Sequence, residues 1–185
     1  PPTGRADVRT LIPPAEPVPT PASGDRRSDE RQASGFVDHE GRRLFRIADC
    51  ASMPPFLLSV PSAGDHWMFV GSNGAITAGR GNTDRALFPY TTQDKLFDHV
   101  HSAGSLSLVW LGDGCGGTPS LWEPWANVPP SALSSQVRRS VAKDVTGSRV
   151  VFEEKRACES LRWTTEWSTA IGWGILRRTV VENRS

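Results

Sequence analysis

The chain has 185 residues, enough for one domain with or without a tail. Its 21 basic and 20 acidic residues leave a formal net charge of +1, so we predict no nucleic-acid partner. No apolar run approaches the ~20 residues of a membrane-spanning helix, so we predict no membrane partner either. The odd number of cysteines, Cys50, Cys115 and Cys158, without CxxC spacing argues against a disulfide framework and a structural zinc site. A reducing compartment, such as the cytoplasm, is the simpler interpretation.

Residues 1–35 combine prolines with mixed charge and have almost no large apolar side chains. Such a segment cannot bury enough surface to offset the entropy lost on ordering. We therefore predict a disordered tail over residues 1–35 and a single folded domain over residues 36–185. Because the chain begins with Pro1 and its last strand-like run ends near the C-terminus, we expect a fragment of a longer protein, truncated at the C-terminus.

Two hairpins are predicted early in the folded region. Apolar residues on either side of Asp38–Gly41 indicate the first hairpin. The run His66–Val70 precedes Asn73-Gly74 and a second apolar run, Ala75–Ala78. Asn-Gly readily adopts positive φ at both turn positions, which makes this the strongest hairpin signal in the chain.

Further strand-like runs follow along the chain. Leu161, Trp163, Thr165 and Trp167 mark one face at period two, which is typical of a half-buried antiparallel strand. Only residues 131–143 are compatible with a helix. Successive strands with turns between them predict an all-β fold, an antiparallel β-sandwich. The other predicted strands are 56–60, 106–111, 149–154 and 175–181.

None of the residue pairs that could carry chemistry has a convincing arrangement. Asp65 and His66 are neighbours on a predicted strand and point to opposite faces, and the same holds for Glu153 and Glu154. His99 and His101 would share a face only in an extended segment, and spacing suggests no third ligand. We therefore predict no catalytic residue, no metal site and no cofactor.

A polar cluster directly after the second hairpin is better suited to binding. Asn73, Arg80, Arg85 and Tyr90 combine short polar groups, arginines and a ring. Such a set can hold a hydroxyl-rich ligand, with the ring covering the C–H face of a sugar. The alternative is a long connection in which Arg80 and Asp84 merely pair with each other.

The same region resembles a known family in the order of its elements. The chain is similar, over roughly residues 43–180, to the N-terminal β-sandwich of glycoside phosphorylases of the cellobiose phosphorylase type. In that family a strand, a glycine turn and an arginine-containing loop lead to a Tyr-rich segment, and a Trp-x-Pro-x-Trp-like element follows a short strand. The resemblance is carried by Met53–Leu57, Trp67–Arg80, Leu87–Tyr90, Trp110–Asp113 and Leu121–Trp125.

The resemblance implies a supersandwich-like domain that packs on a separate (α/α)6 catalytic barrel of the same parent chain; because the family sandwich is longer, we expect this one to be incomplete. The domain would then frame an oligosaccharide site or support the barrel, and it would not be catalytic alone. Trp122 and Trp125 join Asn73, Arg80, Arg85 and Tyr90 as predicted ligand or interdomain contacts, and a homodimer is possible. The alternatives are an autonomous carbohydrate-binding module and a purely structural interaction domain.

Overall fold

The computed structural model describes residues 33–87, 90–112, 118–158 and 160–184. Most of the predicted tail, residues 1–32, lies outside the described residues, as do Phe88, Pro89 and Cys115. Within the described ranges every regular element is a β-strand or a short 3-10 turn, which confirms the all-β prediction. No helix among these residues has the length and apolar character needed to cross a membrane.

In the part of the chain that the structure describes, eleven strands pair antiparallel in three sheets. The largest sheet has the order β1-β2-β8-β9-β10-β11, the second has the order β3-β4-β5, and β6 pairs with β7 alone. The strands are β1 (Gly35–His39), β2 (Arg42–Ala48), β3 (Leu57–Ser59), β4 (His66–Gly71), β5 (Ile76–Arg80), β6 (Val109–Leu111), β7 (Ser120–Trp122), β8 (Val137–Asp144), β9 (Arg149–Arg156), β10 (Leu161–Ala170) and β11 (Gly174–Asn183).

The main hydrophobic core lies between the six-stranded and three-stranded sheets, as expected of a sandwich. Period-two alternation puts every second side chain of a strand into this core and its neighbours on the other face. Residues of both sheets contribute: Met68, Val70, Ile76 and Ala78 from the smaller sheet, and Val141, Val150, Phe152, Leu161, Trp163 and Trp167 from the larger. A second, small cluster of Leu44, Ala142 and Val151, with Val37 against it, lies on the opposite face of the large sheet.

Both predicted hairpins are confirmed. In the first, Glu40 and Gly41 have positive φ angles of 49° and 74° and connect β1 to β2. In the second, which connects β4 to β5, Gly74 has a φ of 90°, whereas Asn73 is not in the positive-φ region. The Asn73 side chain instead accepts a hydrogen bond from the backbone N–H of Ala75, so the turn uses its amide rather than its backbone flexibility.

The helix considered for residues 131–143 is wrong. Its second half is β8, which pairs with β2 on one side and β9 on the other. Arg139 and Val141 lie on the core side of β8 at period two, and both are buried. Pairing with two neighbouring strands therefore overrides the weak local helix signal.

Candidate functional site

Two of the predicted contact residues, Trp122 and Trp125, are held by one buried carboxylate. Oε1 of Glu154 accepts a hydrogen bond of 2.9 Å from Nε1 of Trp122, and Oε2 accepts one of 2.8 Å from the backbone N–H of Trp125. Trp125 has a positive φ of 62°, so this sharp turn is fixed by the bond to Glu154. Trp122 is 4% exposed and Trp125 is 8% exposed. In this arrangement neither ring presents a face on which a sugar could stack.

An arginine completes the same network. Nε of Arg139 donates to Oε2 of Glu154 at 2.8 Å, and its Nη1 donates to the backbone oxygen of Ala126. Its guanidinium also lies 5.2 Å from the centre of the Trp125 ring. Because the charges of Arg139 and Glu154 are both buried, each depends on the other to compensate for lost hydration. The network fixes the segment from Trp122 to Ala126 against β8 and β9.

Asn73 and Trp125 meet at one cleft. Nδ2 of Asn73 donates to the backbone oxygen of Phe97 at 3.0 Å, and Nε1 of Trp125 donates to the backbone oxygen of Ser72 at 3.2 Å. Both residues line a cleft with a volume of about 140 Å³. Its lining also includes the aromatic side chains of Phe152, Trp163 and Trp167 and the polar side chains of His101, Glu123 and Asn127.

Trp163 lines the cleft, and the N–H group of its indole ring is buried without a hydrogen-bond partner. It is 3% exposed, and its Nε1–H makes no hydrogen bond. Trp122 and Trp125 both have acceptors for the same group. The volume of the cleft is about that of one six-membered ring.

Arg85 and Tyr90 lie elsewhere, around Trp67 on the outer face of the three-stranded sheet. The rings of Tyr90 and Trp67 meet edge to face with their centres 6.1 Å apart. The Trp67 ring lies directly over Gly79, where a Cβ would be only 2.5 Å from it and 2.9 Å from the backbone oxygen of Arg85. Arg80, the last residue of β5, pairs with His66 in the ladder, so period two puts its side chain on the face of the strand opposite Trp67 and Gly79.

The six predicted residues therefore do not form one site. Asn73 and Trp125 line the cleft and Trp122 is in the core. Tyr90 and the backbone of Arg85 lie beside Trp67 and Gly79, whereas Arg80 lies on the other face of β5. Tyr90 is 43% exposed, and Arg80 and Arg85 are also exposed, so these three are the accessible members of the predicted set.

A large exposed apolar surface was missed by sequence reasoning. Leu106, Leu108 and Trp110 are 61%, 54% and 70% exposed, and Leu121, directly opposite Trp110 in the β6–β7 ladder, is 51% exposed. We call these four residues the hairpin face. The signal was present, because Leu106, Leu108 and Trp110 recur at period two, although only Trp110 lies within β6. Alternation alone does not say which face of a strand is buried.

Among the described residues, one group of side chains is close enough together to share a metal ion. Ligand atoms of His39, Glu40 and Glu166 lie within 4.8 Å of one another. Both carboxylates already pair with arginines: Glu166 with Arg149 at 3.0 Å and Glu40 with Arg178 at 2.5 Å. The hydrogen bond from Arg178 also lowers the pKa of Glu40. A cation would have to compete with both arginines.

The chain was also compared with known proteins. Neither a scan against protein-family models nor a search of curated proteins found a match.

Proposed function

We propose that this domain is the non-catalytic β-sandwich portion of a glycoside phosphorylase-like or hydrolase-like enzyme. It supports an (α/α)6 catalytic barrel of the same parent chain, which packs against the hairpin face. The observation that carries the proposal is the exposure of Leu106, Leu108 and Trp110 at period two along the chain, with the exposed Leu121 directly opposite Trp110.

The tryptophans differ widely in exposure. Trp122, Trp125, Trp163 and Trp167 are buried, whereas Trp110 is 70% exposed among exposed leucines and Trp173 is 83% exposed in the β10–β11 turn. A contiguous exposed apolar surface of this kind marks an interaction site more often than a feature of a free-standing domain. Covering it with a barrel would remove one tryptophan and three leucines from water, at ~25 cal/mol per Å² of apolar area.

Hydrogen exchange can test the proposal directly. The parent polypeptide that contains both sandwich and barrel would be compared with the isolated chain. We expect slower exchange over residues 106–111 and 120–122 in the parent polypeptide, and no change in the β1–β2 hairpin on the other side of the fold. Equal exchange of the hairpin face in both samples would contradict docking at this surface.

Oligosaccharide binding is the second candidate, and the patch around Trp67 is the observation that favours it. The exposed ring of Tyr90 lies against Trp67, and Arg85, whose backbone oxygen lies near Gly79, is also exposed; a ring and a guanidinium suit a sugar's C–H face and its hydroxyls. This would make the domain a carbohydrate-binding module in its own right, or one wall of an oligosaccharide site shared with the barrel.

The two sugar-binding roles can be separated by titration. Isothermal calorimetry of the isolated chain with β-glucan oligosaccharides tests the autonomous module, with Tyr90→Ala as the variant and Tyr90→Phe as the matched control. Binding that is lost in Tyr90→Ala and retained in Tyr90→Phe supports the stacking role. The absence of heat at millimolar sugar counts against an autonomous module.

A further inference from the structure

The last strand of the six-stranded sheet has an open edge. Within the described residues β11 pairs with β10 alone and stands at the end of the sheet. It is ten residues long, and most of its side chains are exposed. Half of its backbone N–H and C=O groups therefore face away from the sheet, which is the usual template for adding another strand.

Symmetry restricts how two copies of this edge can pair. When a two-fold axis relates two antiparallel neighbouring strands, the axis must be perpendicular to the sheet, because only that axis both exchanges the strands and reverses their direction. Residues directly opposite each other then lie on the same face in both copies. Their sequence numbers must therefore differ by an even number, and one residue must pair with its own copy on the axis.

The charges on β11 select one register from this set. If the two-fold axis passed through Arg177 or Arg178, two arginines would lie directly opposite each other, which is unfavourable. If the axis passes through Val180 instead, Arg178 of each copy lies opposite Glu182 of the other copy. The symmetric dimer therefore has two such pairs. We propose that two copies of this chain associate through β11 in this register, which joins their large sheets into one sheet of twelve strands.

The residues near the axis suit such a contact. Val180 would lie against Val180 of the second copy, and Thr179 against Val181, so the centre is built of β-branched side chains. Val181 is 45% exposed in the single chain and would lose part of that exposure. The side chains of Arg178 and Glu182 are 59% and 37% exposed, and in the dimer they would exchange their surface partners Glu40 and Arg184 for each other.

Disulfide cross-linking tests the register. A cysteine at position 180 would face its own copy across the axis, so Val180→Cys should form a covalent dimer under mild oxidation at micromolar concentration. Leu176→Cys is the matched control on the same face of the same strand. In the proposed register the cysteines at position 176 of the two chains lie eight residues apart along the strand direction, a distance of about 27 Å, so they should not cross-link. Equal cross-linking of both variants, or of neither, would overturn the register.

Charge exchange tests the association itself by analytical ultracentrifugation. Arg178→Glu and Glu182→Arg should each weaken the dimer by about tenfold, since each puts like charges opposite each other. The double variant should restore the wild-type dissociation constant. A wild-type chain that stays monomeric at several hundred micromolar overturns the proposal, and so does a double variant as weak as either single one.

Discussion

Nε1 of Trp122 donates a hydrogen bond of 2.9 Å to Oε1 of Glu154, and both residues are buried. They are 32 residues apart in sequence. The other oxygen of the same carboxylate receives the backbone N–H of Trp125 and Nε of Arg139. One side chain of β9 thus fixes both the end of β7 and the turn that follows it. Glu154 therefore joins the β6–β7 hairpin to the large sheet.

Glu154→Ala should be severely destabilising. It leaves Arg139 as a buried charge without its partner and removes the acceptors of two further N–H groups. We expect a loss of about 3–5 kcal/mol in the free energy of unfolding, measured by urea denaturation. Glu123→Ala, an exposed carboxylate in the same region, should stay within about 0.5 kcal/mol. Equal effects of the two substitutions would show that the buried network does not carry this stability.

Most strands could be predicted from the sequence because each carries a local signal. Alternation marked β10, and turn residues marked both hairpins. The role of Glu154 could not be predicted. Glu153 and Glu154 are adjacent and identical, and the sequence alone cannot show that the first faces Arg162 while the second faces the core.

The candidate site was harder to predict because burial depends on contacts between distant segments. Trp110 and Trp122 both lie in short strands of the same hairpin, yet one is 70% exposed and the other 4%. No local pattern distinguishes them, since the difference comes from Glu154 and Arg156 beneath Trp122. The predicted residues that proved accessible, such as Tyr90, lie in a loop.

Gly79→Ala should destabilise the three-stranded sheet. A Cβ at this position would lie 2.5 Å from Cζ2 of Trp67 and 2.9 Å from the backbone oxygen of Arg85, so the ring and the loop would both have to move. We expect a loss of about 1–3 kcal/mol in the free energy of unfolding. Gly35→Ala is the control, because a Cβ there meets nothing within 4 Å. If the two variants unfold alike, the close packing of Trp67 on Gly79 is not required.

Cys50 should be unreactive in the folded protein. Burial raises the pKa of its thiol to about 12, so only about one molecule in ten thousand carries the thiolate at pH 8. We expect Ellman's reagent to leave Cys50 unmodified in buffer and to modify it in urea. The control is Cys50→Ser, which should lower the number of reactive thiols by one in urea and leave the native count unchanged. A lower native count would contradict the prediction.

Asp144 should make the β8–β9 turn sensitive to acid. Burial alone would raise the pKa of Asp144, but hydrogen bonds from Thr146, the backbone N–H of Arg149 and Ser148 outweigh it and hold the pKa below its usual value. A carboxyl whose pKa is lower in the folded state stabilises the protein above its unfolded pKa, about 3.9. That stability is lost as the pH falls through the folded-state pKa.

The test is to compare wild type with Asp144→Asn from pH 7 to pH 2 by urea denaturation. Asparagine cannot ionise, so wild type should exceed the variant in the free energy of unfolding above about pH 5. The difference should narrow steadily below about pH 4. Thr146→Ala keeps the carboxylate but removes one of its donors, so it should give a smaller loss at pH 7 that also narrows in acid. A difference that stays constant down to pH 2 would mean that the ionised form of Asp144 contributes nothing to folding.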